Sequence, residues 1–289
     1  MTVRAAILGA GGQLGRALSL CLPGAVLLHL SDVDIADVAA TSRFNWSQFD
    51  LVINTAAYTA VDKAETPEGR IAAWQVNAVG VANLVRAVRD RNLTFVHISS
   101  EYVFDGRALG PIPEDAPFSP LSAYGASKAA GDVAATLCAS YYIVRTTWVI
   151  GEGANFVRTM LDLAAGGATP TVVADQVGRP TFAEDLASGI IALTTSHPEF
   201  GTYNITNTGD PASWADVARA TFELAGRSPD DVADTTTAAY FAARPDAARR
   251  PLNSLLDLRK AAEAGVHLPP WRESLAAYVR KKRSAGDAG

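Results

Sequence analysis

Short apolar runs alternate with amphipathic segments along the first half of the chain. Runs rich in small and β-branched residues predict buried parallel strands over 3–8, 25–30, 51–54, 94–99, 141–146 and 201–205. Apolar residues at helical spacing predict helices over 13–22, 67–91, 122–140, 183–194 and 213–225. This alternation predicts an α/β fold, a Rossmann-like doubly wound parallel sheet with helices on both faces.

The rhythm changes after Ile150, where glycine, proline and asparagine become frequent. We therefore predict an N-terminal domain over residues 1–150 and a smaller C-terminal cap, mainly 151–289, laid over the carboxyl edge of the sheet. Segments near 172–206 are expected to return to the first domain. The stretch 226–251 is rich in Asp, Thr, Ala and Pro, and we predict that it is irregular.

Composition and charge exclude several classes of protein. Of 289 residues, 48% are hydrophobic and 19% are charged, and the net charge is −5, which is ordinary for a globular chain. Because no basic stripe stands out, neither nucleic acid nor an anionic membrane is expected as a partner. The one basic run, 281–283, is interpreted as the solvated end of a polar tail. No apolar stretch approaches about 18 residues, so no membrane span is expected.

Cysteine and histidine are scarce. Cys21 and Cys138 are far apart, which excludes a disulfide scaffold and fits a reducing compartment. The 4 histidines lack the spacing of metal ligands, so no metal site is predicted. The N-terminus enters an apolar run and then glycines at once, without a basic region and cleavage site, so we expect a cytoplasmic location.

A glycine-rich turn joins the first predicted strand to the first predicted helix. Gly9, Gly12 and Gly15 form the pattern GxxGxxG there. Glycines allow a tight turn and let backbone N–H groups approach a pyrophosphate at the helix N-terminus, where the helix dipole favours anions. In this context the pattern predicts a dinucleotide cofactor.

Acidic residues after the second predicted strand bear on the choice of cofactor. Asp32 and Asp34 follow Gly9 at 23 and 25 positions. A carboxylate there favours the free 2′-hydroxyl of NAD over the 2′-phosphate of NADP. However, Arg16 could reach a phosphate, and either carboxylate could cap the next short helix. NADH and NADPH therefore both stay open.

Tyr124 and Lys128 lie four positions apart and share one face of a predicted helix. A nearby ammonium lowers the pKa of a tyrosine, so the phenol can donate a proton near neutral pH. Ser99 and Ser100 end the fourth predicted strand, where a hydroxyl can bond a substrate carbonyl. With the glycine turn, these residues predict hydride transfer to a carbonyl. Asn77 could hold a relay water near Lys128 or be an ordinary polar residue of its helix.

Seven stretches carry a resemblance to a known family. They are 54–65, 102–106, 124–128, 145–149, 155–157, 175–181 and 250–254, which read NTAAYTAVDKAE, YVFDG, YGASK, RTTWV, NFV, DQVGRPT and RPLNS. The chain resembles the extended short-chain dehydrogenase/reductases and, more narrowly, the dTDP-4-dehydrorhamnose reductase family over nearly its whole length. The resemblance implies NAD(P)H-dependent reduction of the C4 ketone of a dTDP-4-dehydro-6-deoxy-L-hexose, first of all dTDP-4-dehydro-L-rhamnose, by a monomer or homodimer.

The resemblance also implies roles for individual residues. Besides Asp32 and Asp34, the cofactor would lie on Gly9, Gly12, Gln13, Leu14, Gly15, Ala56, Ala57, Tyr58, Ser99, Tyr124 and Lys128. The catalytic set would be Ser100, Tyr124 as proton donor and Lys128 as its tuner. The dTDP-sugar would contact Ser100, Glu101, Tyr102, Tyr124, Trp148, Asn155 and Arg250. Aromatic faces at Tyr102 and Trp148 would suit the sugar, and Asn155 and Arg250 the diphosphate or base.

Two departures from the family pattern keep other functions open. The chain has Ser99-Ser100-Glu101 where the family usually has Ser-Thr-Asp, and 31–34 lacks the arginine of many relatives. Reduction of another dTDP-4-keto-deoxysugar is therefore an alternative. A dehydratase would want an Asp-Glu pair where this chain has Glu101-Tyr102, and an epimerase would hold NAD tightly.

A further alternative is a non-catalytic role. The regulatory β subunit of methionine adenosyltransferase resembles the same family and acts as a binding partner. A non-catalytic protein could lose its tyrosine or lysine freely, whereas this chain keeps both Tyr124 and Lys128. Their presence favours an enzyme.

Overall fold

The computed structural model describes residues 3–286. The strands are β1 Ala5–Leu8, β2 Val26–Leu28, β3 Leu51–Asn54, β4 Thr94–Ser100, β5 Tyr141–Thr146, β6 Val149–Ile150, β7 Thr171–Val173, β8 Val177–Gly178, β9 Thr181–Phe182, β10 Gly201–Asn204, β11 Ala212–Ser213 and β12 Ala233–Thr235. The helices are α1 Gln13–Cys21, α2 Val38–Arg43, α3 Pro67–Trp74, α4 Val81–Val88, α5 Ala123–Ala135, α6 Phe156–Ala165, α7 Ala183–Ser196, α8 Trp214–Leu224, α9 Thr237–Phe241, α10 Arg259–Glu263 and α11 Trp271–Gly286.

Within the part of the chain that the structure describes, the main sheet has 6 parallel strands in the order β10-β5-β4-β3-β1-β2. Strand β2 lies on one side of β1, and the strands from β3 onward lie on its other side, so the strand order reverses between the adjacent strands β1 and β3. In open parallel sheets, ligands bind at the carboxyl ends of the strands beside such a switch point. The predicted doubly wound α/β fold is confirmed, and a ligand site is expected at its switch point.

Separate hydrophobic cores cover the two faces of the sheet. On one face, α1 and α7 pack around Leu18, Leu186 and Ile190. On the other, α4 and α5 pack around residues that include Leu84 and Phe95. Strands buried on both sides have no solvent face, which explains why the chain showed apolar runs rather than alternation.

A second layer, which we call the cap, consists of α6, α8, α11 and the strand pairs β11–β8, β12–β7 and β6–β9. Its cores include Val217 and Phe222 of α8 and Trp271 of α11. The indole N–H of Trp271 donates to the carbonyl of Asp210 across 2.9 Å, so this buried aromatic residue is also satisfied as a donor. The cap thus has apolar cores of its own.

Several segments after residue 150 lie with the sheet instead of the cap. Within 172–206, α7 packs on α1 and β10 pairs with β5. In the same region β7 pairs with β12 of the cap. Residues 261–268 also join the core under the sheet, through Ala261, Val266 and Leu268, a return that the sequence pattern did not predict.

The helix predicted over 67–91 contains a π-helical turn, Gln75–Gly80, between α3 and α4. π-helical turns are rare and often lie at functional sites. By length and composition the run 67–88 meets the criteria for a membrane span, as core helices also do, and 50% of its most apolar window is buried here. The turn buries Asn77, which is 1% exposed, against the neighbouring loop and α5.

Two predictions for the C-terminal half are changed by the structure. The stretch 226–251 is not wholly irregular, because it contains a 3₁₀ turn, β12 and α9. The basic run 281–283 lies on α11 and not in an irregular tail, and Lys281 and Arg283 are exposed to solvent as expected. There Lys281 pairs with Glu184 and Lys282 with Glu152, each across 2.6 Å. The helix places these side chains opposite the carboxylates of Glu184 in α7 and of Glu152 after β6.

Candidate active site

A cleft of about 890 Å³ opens at the carboxyl edge of the main sheet. The segments that follow β1, β3 and β4 line it together with the first turns of α5, and Trp148 and Trp214 line it from the cap side. The cleft therefore lies at the switch point. Its volume falls in the range of roughly 300–1,000 Å³ that small-molecule sites occupy.

The glycine turn after β1 packs too closely for side chains. Gly9 has φ +71°, and a Cβ there would lie 2.6 Å from the amide nitrogen of Ala56. A Cβ on Gly15 would lie 2.4 Å from the carbonyl oxygen of Gly9. Within residues 3–286, no side chain caps the start of α1 and no acidic residue lies in its first turn. Gly12, Gln13 and Leu14 line the cleft there, so the helix start offers N–H donors to an anion.

The two predicted ribose carboxylates have different places. Asp34 lines the cleft, and its Oδ1 accepts a bond from the N–H of Ala36 across 2.9 Å. Asp32 is not among the described residues that line the cleft, and its Oδ2 accepts from the N–H of His29 across 2.8 Å. Asp32 thus stabilises the turn after β2, and its contact with the cofactor stays a prediction. Arg16 lines the same end of the cleft and donates to the carbonyl of Glu152.

The segment after β3 brings Ala56, Ala57 and Tyr58 to the cleft. Asn77 holds this segment in place, because its Oδ1 accepts from the N–H of Tyr58 across 2.9 Å. Its Nδ2 donates to the carbonyl of Tyr58 and to Oγ of Ser127, each across 3.0 Å. Asn77 therefore joins the loop after β3 to α5 through its side chain, and a relay water near Lys128 stays a prediction.

Tyr124 and Lys128 line the cleft from one face of α5. Ser122 caps this helix, and its Oγ accepts from the N–H of Gly125 across 3.1 Å. The Nζ atom of Lys128 donates to the carbonyl of Ile98 in β4 across 2.6 Å. Since the side chains of Tyr124 and Lys128 are both buried, the protein environment decides their protonation.

Burial acts on the two groups in opposite directions. It lowers the pKa of Lys128 to about 8, against the attraction of the Asp132 carboxylate. It raises the pKa of Tyr124, and the negative charge of Glu101 raises it further. We expected Lys128 to lower the pKa of Tyr124, but in this structure desolvation dominates. A phenol that keeps its proton near neutral pH is in the form that a proton donor requires.

The end of β4 supplies hydroxyl groups and a buried carboxyl group. Ser99 and Ser100 both line the cleft. Ser100 Oγ donates to Oε2 of Glu101 across 2.6 Å. Glu101 is 2% exposed, and burial raises its pKa to about 7 against hydrogen bonds from Ser100 and Ser254. Both protonation states of Glu101 are therefore accessible near neutral pH.

Aromatic side chains surround the place where a substrate would lie. The edge of one ring meets the face of the other in the pair Tyr102–Tyr124, with ring centroids 5.3 Å apart. The ring of Trp148 stacks on that of Trp214 with centroids 3.9 Å apart. The backbone of Trp148 has φ +45°, a conformation that is rare for a bulky residue and often occurs at functional sites. The sequence analysis did not predict Trp214 as a residue of the site. The only signal was an aromatic residue directly after the helix cap Ser213.

Two predicted substrate contacts are not among the described residues that line the cleft, Asn155 and Arg250. Asn155 caps α6, because its Oδ1 accepts from the N–H of Arg158 across 2.9 Å, and its Nδ2 donates to the carbonyl of Gly151. Arg250 makes two bonds to the carboxylate of Asp62, at 2.5 and 3.0 Å. Arg250 also lies beside Tyr102, which lines the cleft, and the substrate contacts of Asn155 and Arg250 stay predictions.

A buried group of charges lies behind the cleft, between α5 and β5. Arg145 Nε donates to Oδ2 of Asp132 across 3.0 Å, and Nε2 of His97 lies 3.8 Å from Oδ1 of the same carboxylate. Burial and the charge of Lys128 lower the pKa of His97, which therefore stays neutral. The sequence signal that could have found this cluster is the spacing of four between Lys128 and Asp132 on one helix face.

Known proteins match this chain over most of its length. A dTDP-4-dehydrorhamnose reductase of Mycolicibacterium smegmatis is 40% identical and covers 95% of this chain and 84% of its own. A dTDP-4-keto-6-deoxy-D-glucose reductase of Streptomyces niveus is 40% identical over 80% of this chain and 82% of its own. The crystal structure of dTDP-4-dehydrorhamnose reductase from Bacillus anthracis, in complex with NADP, is 33% identical with a TM-score of 0.89 and covers 97% of this chain and 100% of its own.

The family model described as the RmlD substrate binding domain matches residues 3–284. This range includes the glycine turn, the end of β4, the Tyr124–Lys128 pair and the cap. The chain therefore belongs to the RmlD substrate binding domain family, together with the dTDP-4-dehydrorhamnose reductases.

Proposed function

We propose that this protein is an oxidoreductase that uses NAD(P)H to reduce the C4 ketone of a dTDP-4-dehydro-6-deoxyhexose. The observation that carries the proposal is that the glycine turn, Ser100, Tyr124 and Lys128 line one cleft. Relatives named dTDP-4-dehydrorhamnose reductase support dTDP-4-dehydro-L-rhamnose as the substrate and dTDP-L-rhamnose as the product.

The residues of the cleft fit a dinucleotide. The start of α1 presents N–H donors that suit a pyrophosphate, and Ala56, Ala57 and Tyr58 line the path toward Tyr124. When bound, the reduced nicotinamide would supply the hydride. Arg16 suits the 2′-phosphate of NADPH and Asp34 suits the free hydroxyl of NADH. NADP in the Bacillus anthracis relative favours NADPH.

The chain's own residues would manage the proton and the charge. Tyr124, which keeps its proton near neutral pH, would protonate the oxygen at C4. The ammonium of Lys128 would stabilise the tyrosinate that is left. Ser100 would hold the carbonyl oxygen by a hydrogen bond, and the stacked Trp148–Trp214 pair would present an aromatic wall to the sugar.

Reduction of a different dTDP-deoxysugar is the second candidate. It is supported by the Streptomyces niveus relative, which bears the name of a dTDP-4-keto-6-deoxy-D-glucose reductase. Within the site, Glu101 is the residue that we expect to bear on the choice of sugar, because it lies buried beside Ser100.

The test is the loss of NADPH or NADH absorbance with dTDP-4-keto-6-deoxy-D-glucose, with and without a 3,5-epimerase. Oxidation only with the epimerase supports the rhamnose step. Oxidation without it supports the second candidate. If neither cofactor is oxidised under either condition, the rhamnose step and the reduction of dTDP-4-keto-6-deoxy-D-glucose are both contradicted. We also propose a cytoplasmic location, which fits free cysteines at Cys21 and Cys138.

A further inference from the structure

The hydroxyl group of Ser100 is already engaged in this structure. Its Oγ donates to Oε2 of Glu101 across 2.6 Å and accepts from the N–H of Tyr102 across 3.3 Å. A serine hydroxyl carries a single proton, so these bonds leave only a lone pair for the cleft. A lone pair cannot stabilise a carbonyl oxygen on which negative charge develops, whereas a donor can.

The carboxyl group of Glu101 determines whether that proton is released. An ionised carboxylate can only accept hydrogen bonds, and it therefore holds the proton of Ser100. A protonated carboxyl group can donate to Ser100 Oγ instead, which frees the Ser100 proton for the cleft. We propose that Glu101 is a positioning residue, which must carry a proton for Ser100 to donate a hydrogen bond to the substrate ketone.

The surroundings of Glu101 fit this role. The groups that face it are Ser100 of β4, Tyr102 of its own turn, Tyr124 of α5 and Ser254 of the segment before α10. The charged groups nearby interact with the two tyrosines. Arg250 and Asp62 lie beside Tyr102, and the charge of Asp132 raises the pKa of Tyr124. Because burial raises the pKa of Glu101 to about 7, small changes in pH near neutrality change its charge.

The proposal rests on the proposed reductase function and adds no new bond-making step. Glu101 keeps its proton throughout turnover. Only the direction of the hydrogen bond between Ser100 and Glu101 changes, from Ser100 as donor to Ser100 as acceptor. Tyr124 remains the group whose proton reaches the product oxygen. The rate should therefore follow the protonated fraction of Glu101, which falls as the pH rises through about 7.

The test is the pH dependence of kcat in the wild type and in Glu101→Gln. The amide of glutamine carries no charge at any pH and can donate to Ser100 through its N–H, so the variant removes the titrating group from this position. From about pH 6 to about pH 7.5, we expect wild-type kcat to fall about fourfold and that of the variant to fall less than about 1.5-fold. Lys128, with a pKa of about 8, stays mostly charged over this interval.

Two further variants separate this role from a structural one. Glu114→Gln is the matched control, because burial also raises the pKa of Glu114, which accepts from the N–H of Asn204 outside the cleft. It should keep the wild-type profile. Ser100→Ala should lower kcat and abolish the pH-dependent fall, and adding Glu101→Gln should cause no further loss.

Some results would overturn the proposal. One such result is a fall in kcat with pH that persists in Glu101→Gln, because Glu101 would then not cause the fall. Another is a fall that persists in Ser100→Ala, because Glu101 would then not act through Ser100. Tight binding of NADPH by each variant shows that it is folded. A wild type that oxidises no cofactor with either sugar contradicts the reductase function itself, and this outcome is distinct from a pH profile that fails to change.

Discussion

Tyr124 is the residue on which the proposed chemistry depends most. Tyr124→Phe removes the proton donor but keeps the ring that packs against Tyr102. We expect kcat to fall by about 10²–10⁴ while the Kd for NADPH changes less than about twofold, because general acid catalysis contributes on that scale. Steady-state NADPH absorbance gives kcat, and NADPH fluorescence gives the Kd.

The matched control for that prediction is Tyr142→Phe. Tyr142 is a buried tyrosine of β5 outside the cleft, and its hydroxyl donates to the carbonyl of Pro198 across 2.8 Å. Its loss should reduce stability slightly and leave kcat unchanged. Near wild-type turnover by Tyr124→Phe would show that another group protonates the product.

The turn between β1 and α1 makes a prediction at the scale of elements. In Gly15→Ala the new methyl group would clash with the carbonyl oxygen of Gly9, and α1 would have to shift away from β1. We expect a loss of about 1–3 kcal/mol in the free energy of unfolding and at least about tenfold weaker NADPH binding. Urea denaturation and fluorescence titration measure the two effects.

Gly24→Ala is the control for the turn. No atom of residues 3–286 lies within 4 Å of a Cβ built on Gly24, so the same substitution there meets open space. It should bind NADPH as the wild type does and be equally stable or slightly more stable. Equal effects at the two glycines would mean that the close approach at Gly15 does not matter for binding.

The buried pair Asp132–Arg145 joins α5 to β5 and makes a second prediction at this scale. Burial raises the pKa of Asp132 even though Arg145 bonds it, so the pair adds little net stability. Asp132→Asn, however, leaves the Arg145 charge unpaired in the core, and we expect a loss of about 3–5 kcal/mol in the free energy of unfolding.

Chemical denaturation measures this loss, and Asp50→Asn is its control. Asp50 pairs with Arg4 on the surface, where the two side chains are 45% and 59% exposed. Solvent screens that pair, so its removal should leave the denaturation midpoint near the wild-type value. Similar midpoints for Asp132→Asn and the wild type would contradict the argument from burial.

Across the whole molecule, local signals predicted the elements and part of the cleft. Apolar runs predicted the six strands of the sheet, and the glycine turn and the Tyr124–Lys128 spacing predicted residues that the fold brings into one cleft. These features are encoded within a few neighbouring positions, so the sequence shows them directly.

Features that depend on distant parts of the chain could not be predicted. The sequence does not show that α6 would use Asn155 as its cap or that Asp62 would engage Arg250. It also gives no sign that Trp214 would stack on Trp148, or how strongly burial would change the pKa of Tyr124. Each of these follows from packing between segments that are remote in the sequence.

The most direct test of the central claim follows a labelled hydride. The protein would be incubated with NADPH deuterated at the transferable position and with the dTDP-4-keto sugar that supports turnover, and the product would be examined by mass spectrometry and NMR. We predict one deuterium, at C4 of the 6-deoxyhexose. A product without deuterium, or with deuterium at another carbon, would contradict the assignment of this protein as a C4 ketoreductase.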